Sequence, residues 1–506
     1  MITMREYLLL LCVFAVSHGY HVLSIQGGLS KSHYNLMVGL NKILLQAGHK
    51  VTYITTYPDQ KPIKNLNNID VSSVLEIGKY INVTDHNTMG IKIVLEFGKN
   101  ISEAIAAHPA VQNVLSNTQF DAVLSEWFFS DLDAGYAAVQ NIPRILLCGT
   151  ILHPHIQHLV DIARDLPTTP VLMAPYLPPM NFIERVLNSI AHLRLSWMGY
   201  FDTKNSYERY FSPIAKARNV TLAPFYEARH NISVILVNSH PTFSPAHSLP
   251  PNAIEIGGYH VEDDVPPLPK DLQDILDSSP EGVIYFSMGS NIKANAFPEK
   301  TKRELIEVFK KLPQTVLWKF EDPLPDTPKN LHVRPWLPQT SVLAHPNVRA
   351  FITHSGLLST IEATKFGVPT VTIPVFADQP INSITAVRAG RAVQVQFSPD
   401  MAGSLEDALS EILTNKTYYI QAKKLSKLFN DRPVEPKKLV LHYIKLAIES
   451  QGATHLRLSS DLAWYQLWMI DQIIFFLISL YAMCHLLYKA KYLIYRKNMK
   501  QKIKIQ

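Results

Sequence analysis

"FITHSGLLSTIEATKFGVPTVTIPVFADQPIN", Phe351–Asn382, opens with an apolar run that ends in His354. A helix-like stretch carrying Glu362 follows, and then a second apolar run that ends in Asp378 and Gln379. Short buried runs separated by a helix make a βαβ unit, hence a parallel sheet. Ligands of such sheets sit beyond the carboxyl ends of the strands, where His354 and the Asp378–Gln379 pair fall. A helix N-terminus beside Ser355, Gly356 and Ser359 suits a diphosphate. Carboxylate and amide side chains together suit sugar hydroxyls. Glu362 lies about two turns into the helix, so only a ligand lying along that helix reaches it. Singly these residues are ordinary: a histidine after a strand is usually structural, and Asp-Gln before proline is often a turn.

The same pattern extends on both sides. "GVIYFSMGS" (282–290) reads as a strand into a Gly loop whose backbone N–H groups, with Ser290, can cradle phosphate. A helix, "PEKTKRELIEVFKKLP", and two strands, "TVLWKF" and "LHVRPWLP", follow, then a short helix, "SVLAHP". "RPWLPQ" offers Trp336 for stacking on a base and Gln339 for hydrogen bonds. Upstream, "HVLSIQGGLSKSHYNLMVGLNKILLQAGHKVTYIT" is another strand, Gly loop, helix and strand, with His33 at the start of the helix. A helix dipole there disfavours an imidazolium and keeps His33 a free base. "FDAVLSEWF", "IPRILLCG" and "SVILVNS" add strands to this first half. The stretch from about Leu172 to Tyr210 reads as irregular, suited to covering an apolar pocket or touching a membrane.

The expected architecture is therefore α/β, with two facing Rossmann-like domains. At 506 residues the chain exceeds one ordinary core. Residues 20–245 form the first domain and 271–455 the second, joined by a proline-rich linker at 246–270. Residues 1–19 read as a signal peptide, with Arg5 before "YLLLLCVFAV". Residues 463–488 read as a transmembrane anchor, with Trp464, Tyr465 and Trp468 at one end. Residues 489–506 form a basic tail containing seven Lys or Arg and no acid, which accounts for the net charge of +6. The rest of the chain is near neutral and gives no reason to expect nucleic acid. Together these predict a single-pass type I protein of the endoplasmic reticulum membrane, its body lumenal and its tail cytosolic. The closing "KIKIQ" has the lysine spacing of a dilysine retrieval signal. Asn82, Asn100, Asn219, Asn231 and Asn415 sit in glycosylation sequons. Of three cysteines only Cys148 lies in the body, so no intrachain disulfide forms there.

"WLPQTSVLAHPNVRAFITHSGLLSTIEATKFGVPTVTIPVFADQPIN" resembles the donor-binding signature of the UDP-glycosyltransferases, the family that includes animal UDP-glucuronosyltransferases. The resemblance covers nearly the whole chain, including "FSMGS" and "GATHLRLSSDLAWYQLWMIDQ". Its insect members are the nearest in flavour, through "LLSTIEA" and "EWFFSD". The resemblance implies the GT-B fold, with donor on the second domain and acceptor on the first. It implies that Trp336 stacks on uracil, Gln339 binds uridine and Glu362 takes the ribose hydroxyls. Ser290, His354 and Ser359 would hold the diphosphate, with Gly356 beside them, and Asp378 and Gln379 the sugar. His33 would be the catalytic base, oriented by Glu126 or by Asp131. Ser355 stands where many members have glycine.

The expected reaction is an inverting, metal-free transfer from UDP-glucose or UDP-glucuronate to a hydroxyl of a small lipophilic acceptor, with glucose favoured and no cofactor beyond the donor. Homo-oligomerisation is left open. Two rivals remain. "DLD" at 131–133 matches an Asp-x-Asp metal motif, and the Glu126 and Ser355 departures suit a membrane-tethered binding protein that has lost catalysis.

Overall fold

The computed structural model describes residues 19–505 apart from 81–90, 158, 161–165, 172–175, 177, 245–247, 291, 293–296, 325, 458–462 and 468. The expected signal peptide, all but Gly19, and the Asn82 sequon lie outside the described residues.

Two parallel sheets organise the body. The first has strand order β3-β2-β1-β4-β5-β6-β7, from β1 (His21–Ile25), β2 (Lys50–Thr55), β3 (Leu66–Asp70), β4 (Ala122–Glu126), β5 (Arg144–Cys148), β6 (Val234–Val237) and β7 (Ala253–Glu255). The second has order β10-β9-β8-β11-β12-β13, from β8 (Val283–Ser287), β9 (Thr315–Lys319), β10 (Leu331–Arg334), β11 (Val348–Thr353), β12 (Thr370–Thr372) and β13 (Ala392–Gln394). In both, the order reverses beside the central strand, which opens a crevice at the carboxyl ends. The central strands β1, β4, β5, β8 and β11 are buried on both faces, which is why they read as continuous apolar runs rather than alternating ones. β7 lies within the proline-rich stretch and pairs with β6 in the first sheet.

Seven helices bear on the site and its surroundings: α1 (Lys31–Gln46), α2 (Phe182–Ala217), α3 (Gln339–Ala344), α4 (Leu357–Phe366), α5 (Gln379–Arg388), α6 (Pro436–Glu449) and α7 (Ile470–Ile505). Leu36, Met37, Leu40, Ile43 and Leu44 of α1 pack on the first sheet at helical spacing. α6 leaves the second half and returns to the first, adding Val440, Ile444 and Ala447 to the same core. Arg457 then donates to Asn231 Oδ1 at 3.0 Å and to the His230 carbonyl at 3.1 Å. The connecting stretch is tied to each half: Tyr259 Oη donates to the Leu36 carbonyl at 2.9 Å, and Asp263 pairs with Lys365 at 2.6 Å.

The Leu172–Tyr210 stretch, of which 172–175 and 177 lie outside the described residues, is not irregular throughout. From Phe182 it belongs to a single helix of 36 residues, α2. A capping box starts it: the Asn181 side chain accepts from Glu184 N, and the Glu184 carboxylate accepts from Asn181 N. Phe182, Ile183, Leu187, Ile190 and Leu193 leave an apolar row in solvent, 51–71% exposed. α7 also outruns its expected limit. It continues through the basic tail to Ile505, and Ile470–Lys500 is long and apolar enough to cross a membrane. Asn100, Asn219, Asn231 and Asn415 are all exposed.

Candidate active site

His33 occupies the first turn of α1, where the Gly27–Gly28 loop feeds the helix. Its Nδ1 lies 2.5 Å from Glu126 Oε1 at the end of β4. The other oxygen, Oε2, accepts from Gly27 N at 3.0 Å and Gly28 N at 3.2 Å. A Cβ on Gly28 would fall 2.5 Å from the His33 ring, and one on Gly27 would fall 2.4 Å from the Glu126 carbonyl oxygen. The two glycines therefore let the loop close over both side chains. Glu126 is 1% exposed at its side chain and His33 27%, so the pair is buried at one end and open at the imidazole.

Burial pushes the His33 pKa down, but the Glu126 charge, its hydrogen bond and the charge of Asp378 outweigh that and raise it. The helix dipole was expected to hold His33 a free base. The structure corrects this, because an ion-paired carboxylate at hydrogen-bond distance acts more strongly than the partial charge of a helix end. Asp378 belongs to the second half, so the two halves meet electrostatically at His33.

Asp131 does not share this geometry. It accepts from Trp127 Nε1 at 2.9 Å and pairs with Arg229. Asp133 pairs with Arg144 at 2.7 Å and accepts from Ser125 Oγ at 2.5 Å. Both carboxylates of the "DLD" triplet are thus buried and ion-paired with arginines.

On the facing half, the residues singled out from sequence fall into three groups. In the first, Gln339 Nε2 donates to Ser359 Oγ at 3.0 Å and to Glu362, and Gln339 Oε1 accepts from Tyr285 Oη at 3.2 Å. Thr340 Oγ1 donates to Glu362 Oε1 at 2.7 Å. Burial raises the Glu362 pKa against these two hydrogen bonds. Trp336, just ahead of α3, stands 66% exposed. A large indole left in solvent beside buried polar groups offers a stacking face.

The second group surrounds His354. Its ring fits between Gly289 and Gly356, whose Cβ atoms would fall 2.6 Å and 2.5 Å from it. Burial, reinforced by the charge of Lys319, pushes its pKa down to about 4. Ser290 lies half-buried in the turn after β8. Ser355 takes a left-handed φ of +65°, and Gly356 caps α4.

The third group is at the start of α5. Asn382 Nδ2 donates to Asp378 Oδ2 at 2.7 Å and to the Ser355 carbonyl at 3.0 Å, tying the second group to the third. Burial raises the Asp378 pKa. Gln379 is 4% exposed, and its Oε1 accepts from Val375 N at 2.8 Å and Phe376 N at 3.1 Å. Its carbonyl is therefore committed to the loop, which leaves its amide N–H groups as the part able to meet a ligand.

Sequence reasoning missed Tyr285, Thr340, Lys319 and Asn382. Asn382 carried a readable signal, four residues after Asp378 on one helix face. Thr340 directly follows Gln339 on the same short helix, and Tyr285 and Lys319 are joined to the site by sheet order. Beside His33, the Phe128 ring packs edge-on at 4.8 Å, and Phe97, Phe129 and Trp127 continue an aromatic wall.

The sequence profile described as "UDP-glucoronosyl and UDP-glucosyl transferase" matches residues 11–505. The chain is 32% identical to UDP-glucosyltransferase 2 of Dactylopius coccus over 510 residues, covering 97% of each chain. It is 35% identical to UDP-glucuronosyltransferase 2B7 of Homo sapiens over 313 residues, covering 61% of this chain and 58% of that one. Among solved structures, the calicheamicin glycosyltransferase CalG4 superposes with a TM-score of 0.60 at 17% identity, over 86% of this chain and 99% of that one. The two-sheet arrangement is the GT-B fold.

Proposed function

We infer, from a chain that belongs to the UDP-glucoronosyl and UDP-glucosyl transferase family, that it is an inverting UDP-glycosyltransferase moving a hexose, glucose in preference to glucuronate, onto a hydroxyl of a small lipophilic acceptor. One observation carries the reading. His33, held through Nδ1 by Glu126 in the first half, and Asp378 of the second half are close enough for the charge of each to shift the other's proton affinity.

In this reading the acceptor hydroxyl meets His33 Nε2, since Nδ1 is held by Glu126. His33 takes the hydroxyl proton as the oxygen attacks the anomeric carbon. The bond from that carbon to the diphosphate breaks on the opposite face, and UDP leaves with the electron pair. Glu126 fixes the ring and stabilises the imidazolium. Asp131 is left out of the catalytic set because of its pairing with Arg229. Trp336 stacks on the base, and Gln339 and Glu362 bind the nucleoside. Ser290, His354, Gly356 and Ser359 border the diphosphate. Asp378 and the Gln379 amide meet the sugar. The aromatic wall at Phe128 supports a lipophilic acceptor. Glucose is favoured by the near full-length likeness to a protein named a glucosyltransferase. The apolar helix α7 and the exposed row on α2 support a membrane-tethered body.

The test is UDP release from UDP-glucose and UDP-glucuronate with a panel of phenols, with and without EDTA. We expect turnover with UDP-glucose, indifference to EDTA and loss of at least a hundredfold in His33→Ala. Turnover surviving that substitution removes His33 as the base. No UDP release with either donor favours the non-catalytic binding protein.

A further inference from the structure

Loss of a diphosphate leaves negative charge on the leaving group, and something must offset it. The residues assigned to that group above do not. His354, with its pKa pushed down to about 4, is neutral at pH 7. Ser290, Gly356 and Ser359 offer dipoles only. Asp378 and Glu362 are acids, and the Asp131 and Asp133 pair is sealed elsewhere by arginines.

Among the described residues, one cation stands behind the loop. Lys319 ends β9, the strand next to β8 in the sheet. Its side chain is 8% exposed. Nζ donates to the Gly289 carbonyl at 2.8 Å and pairs with Glu321 Oε1 at 2.5 Å. Gly289 is the residue whose Cβ would meet the His354 ring, and it has a left-handed φ of +77° that glycine adopts without strain. The lysine therefore grips the loop at the Gly289 carbonyl, while Gly289 N donates to Ser287 Oγ at 3.3 Å, so the peptide groups on both sides of that residue are held. Its charge is felt at His354 on the other side of the loop. Its partner Glu321 is 36% exposed, so solvent screens that pairing more than it screens the lysine.

We propose that Lys319 is the charge-bearing positioning residue of the diphosphate subsite: it fixes the Gly289 loop and supplies the positive charge that the leaving UDP requires. The inference rests on the UDP-sugar reading above and adds to it a residue that reading does not use. A charge acting on the diphosphate discriminates between UDP and uridine, whereas a lysine that only supports the fold does not.

The test uses the full-length chain in membranes and measures inhibition by UDP and by uridine for wild type, Lys319→Met, Lys319→Arg and Glu321→Gln. UDP inhibition weakens about tenfold or more in Lys319→Met, while uridine stays within about twofold. Lys319→Arg recovers most of the UDP affinity. Glu321→Gln, a change at a half-exposed side chain that leaves the fold intact, frees the ammonium and tightens UDP without changing uridine. Equal weakening of UDP and uridine in Lys319→Met, or UDP affinity unchanged in both Lys319→Met and Glu321→Gln, overturns the proposal. If Lys319→Met does not fold, the Glu321→Gln result alone decides. A wild-type chain inhibited by neither compound overturns the donor reading itself.

Discussion

Glu126 shows what a single carboxylate can fix. Its two oxygens hold the His33 ring and two loop N–H groups at once, so its longer side chain reaches back into the Gly27–Gly28 turn. Removing the charge should therefore change how His33 titrates as well as how it is held. Because Glu126 raises the His33 pKa, Glu126→Gln should move the acidic limb of the kcat/KM–pH profile to lower pH. The rate on the plateau should fall by about a hundredfold or more. A pH–rate profile of the two proteins checks it, and an unmoved inflection contradicts the pairing. The stability linkage has the matching sign. With a folded pKa above the unfolded 6.5, the pair's contribution is complete below 6.5 and fades as pH rises through the raised value. The sequence made His33 and Glu126 visible as candidates, but it left Glu126 and Asp131 side by side. Only the partner of Asp131 separates them. Arg229 lies on a different element, nearly a hundred residues away in the chain, and no local spacing announces it.

Between strand and helix, the junction from β11 to α4 bends through Ser355 at φ +65°, buried to 1%. Side chains with a Cβ lose about 1–2 kcal/mol in that region, against about 0.5–1 kcal/mol for the greater chain freedom of glycine. Ser355→Gly should accordingly stabilise the protein by up to about 1 kcal/mol with donor turnover retained, as read from denaturant midpoints. Elements of this kind were legible where one face or both are buried: β1, β2, β4, β5, β6, β8, β9, β10, β11, β12 and helices α1, α3 and α4 all follow the apolar pattern. β3, β7 and β13 were missed because each is the outermost strand of its sheet and has mixed burial. α2 was missed because its apolar residues point into solvent as well as inward, so no clean amphipathic stripe marks it.

At the scale of the molecule, the two halves and the C-terminal helix are separable in different degrees. α7 projects its apolar side chains outward along its length, whereas Arg457 is hydrogen-bonded to the first half. A chain ending at Arg457 should leave the membrane fraction and keep UDP-sugar turnover; recovery in the pellet on fractionation would show a second attachment. The body cannot be divided further, because α6, encoded near the end of the second half, completes the core of the first. That arrangement sets a clock on synthesis. Ribosomes add about 5–20 residues per second, so roughly 10–40 s separate the emergence of Glu255 and of Glu449. Throughout that interval the nascent first half carries an uncovered greasy groove beside α1, a ready target for holdase chaperones, and a prematurely terminated chain would never cover it.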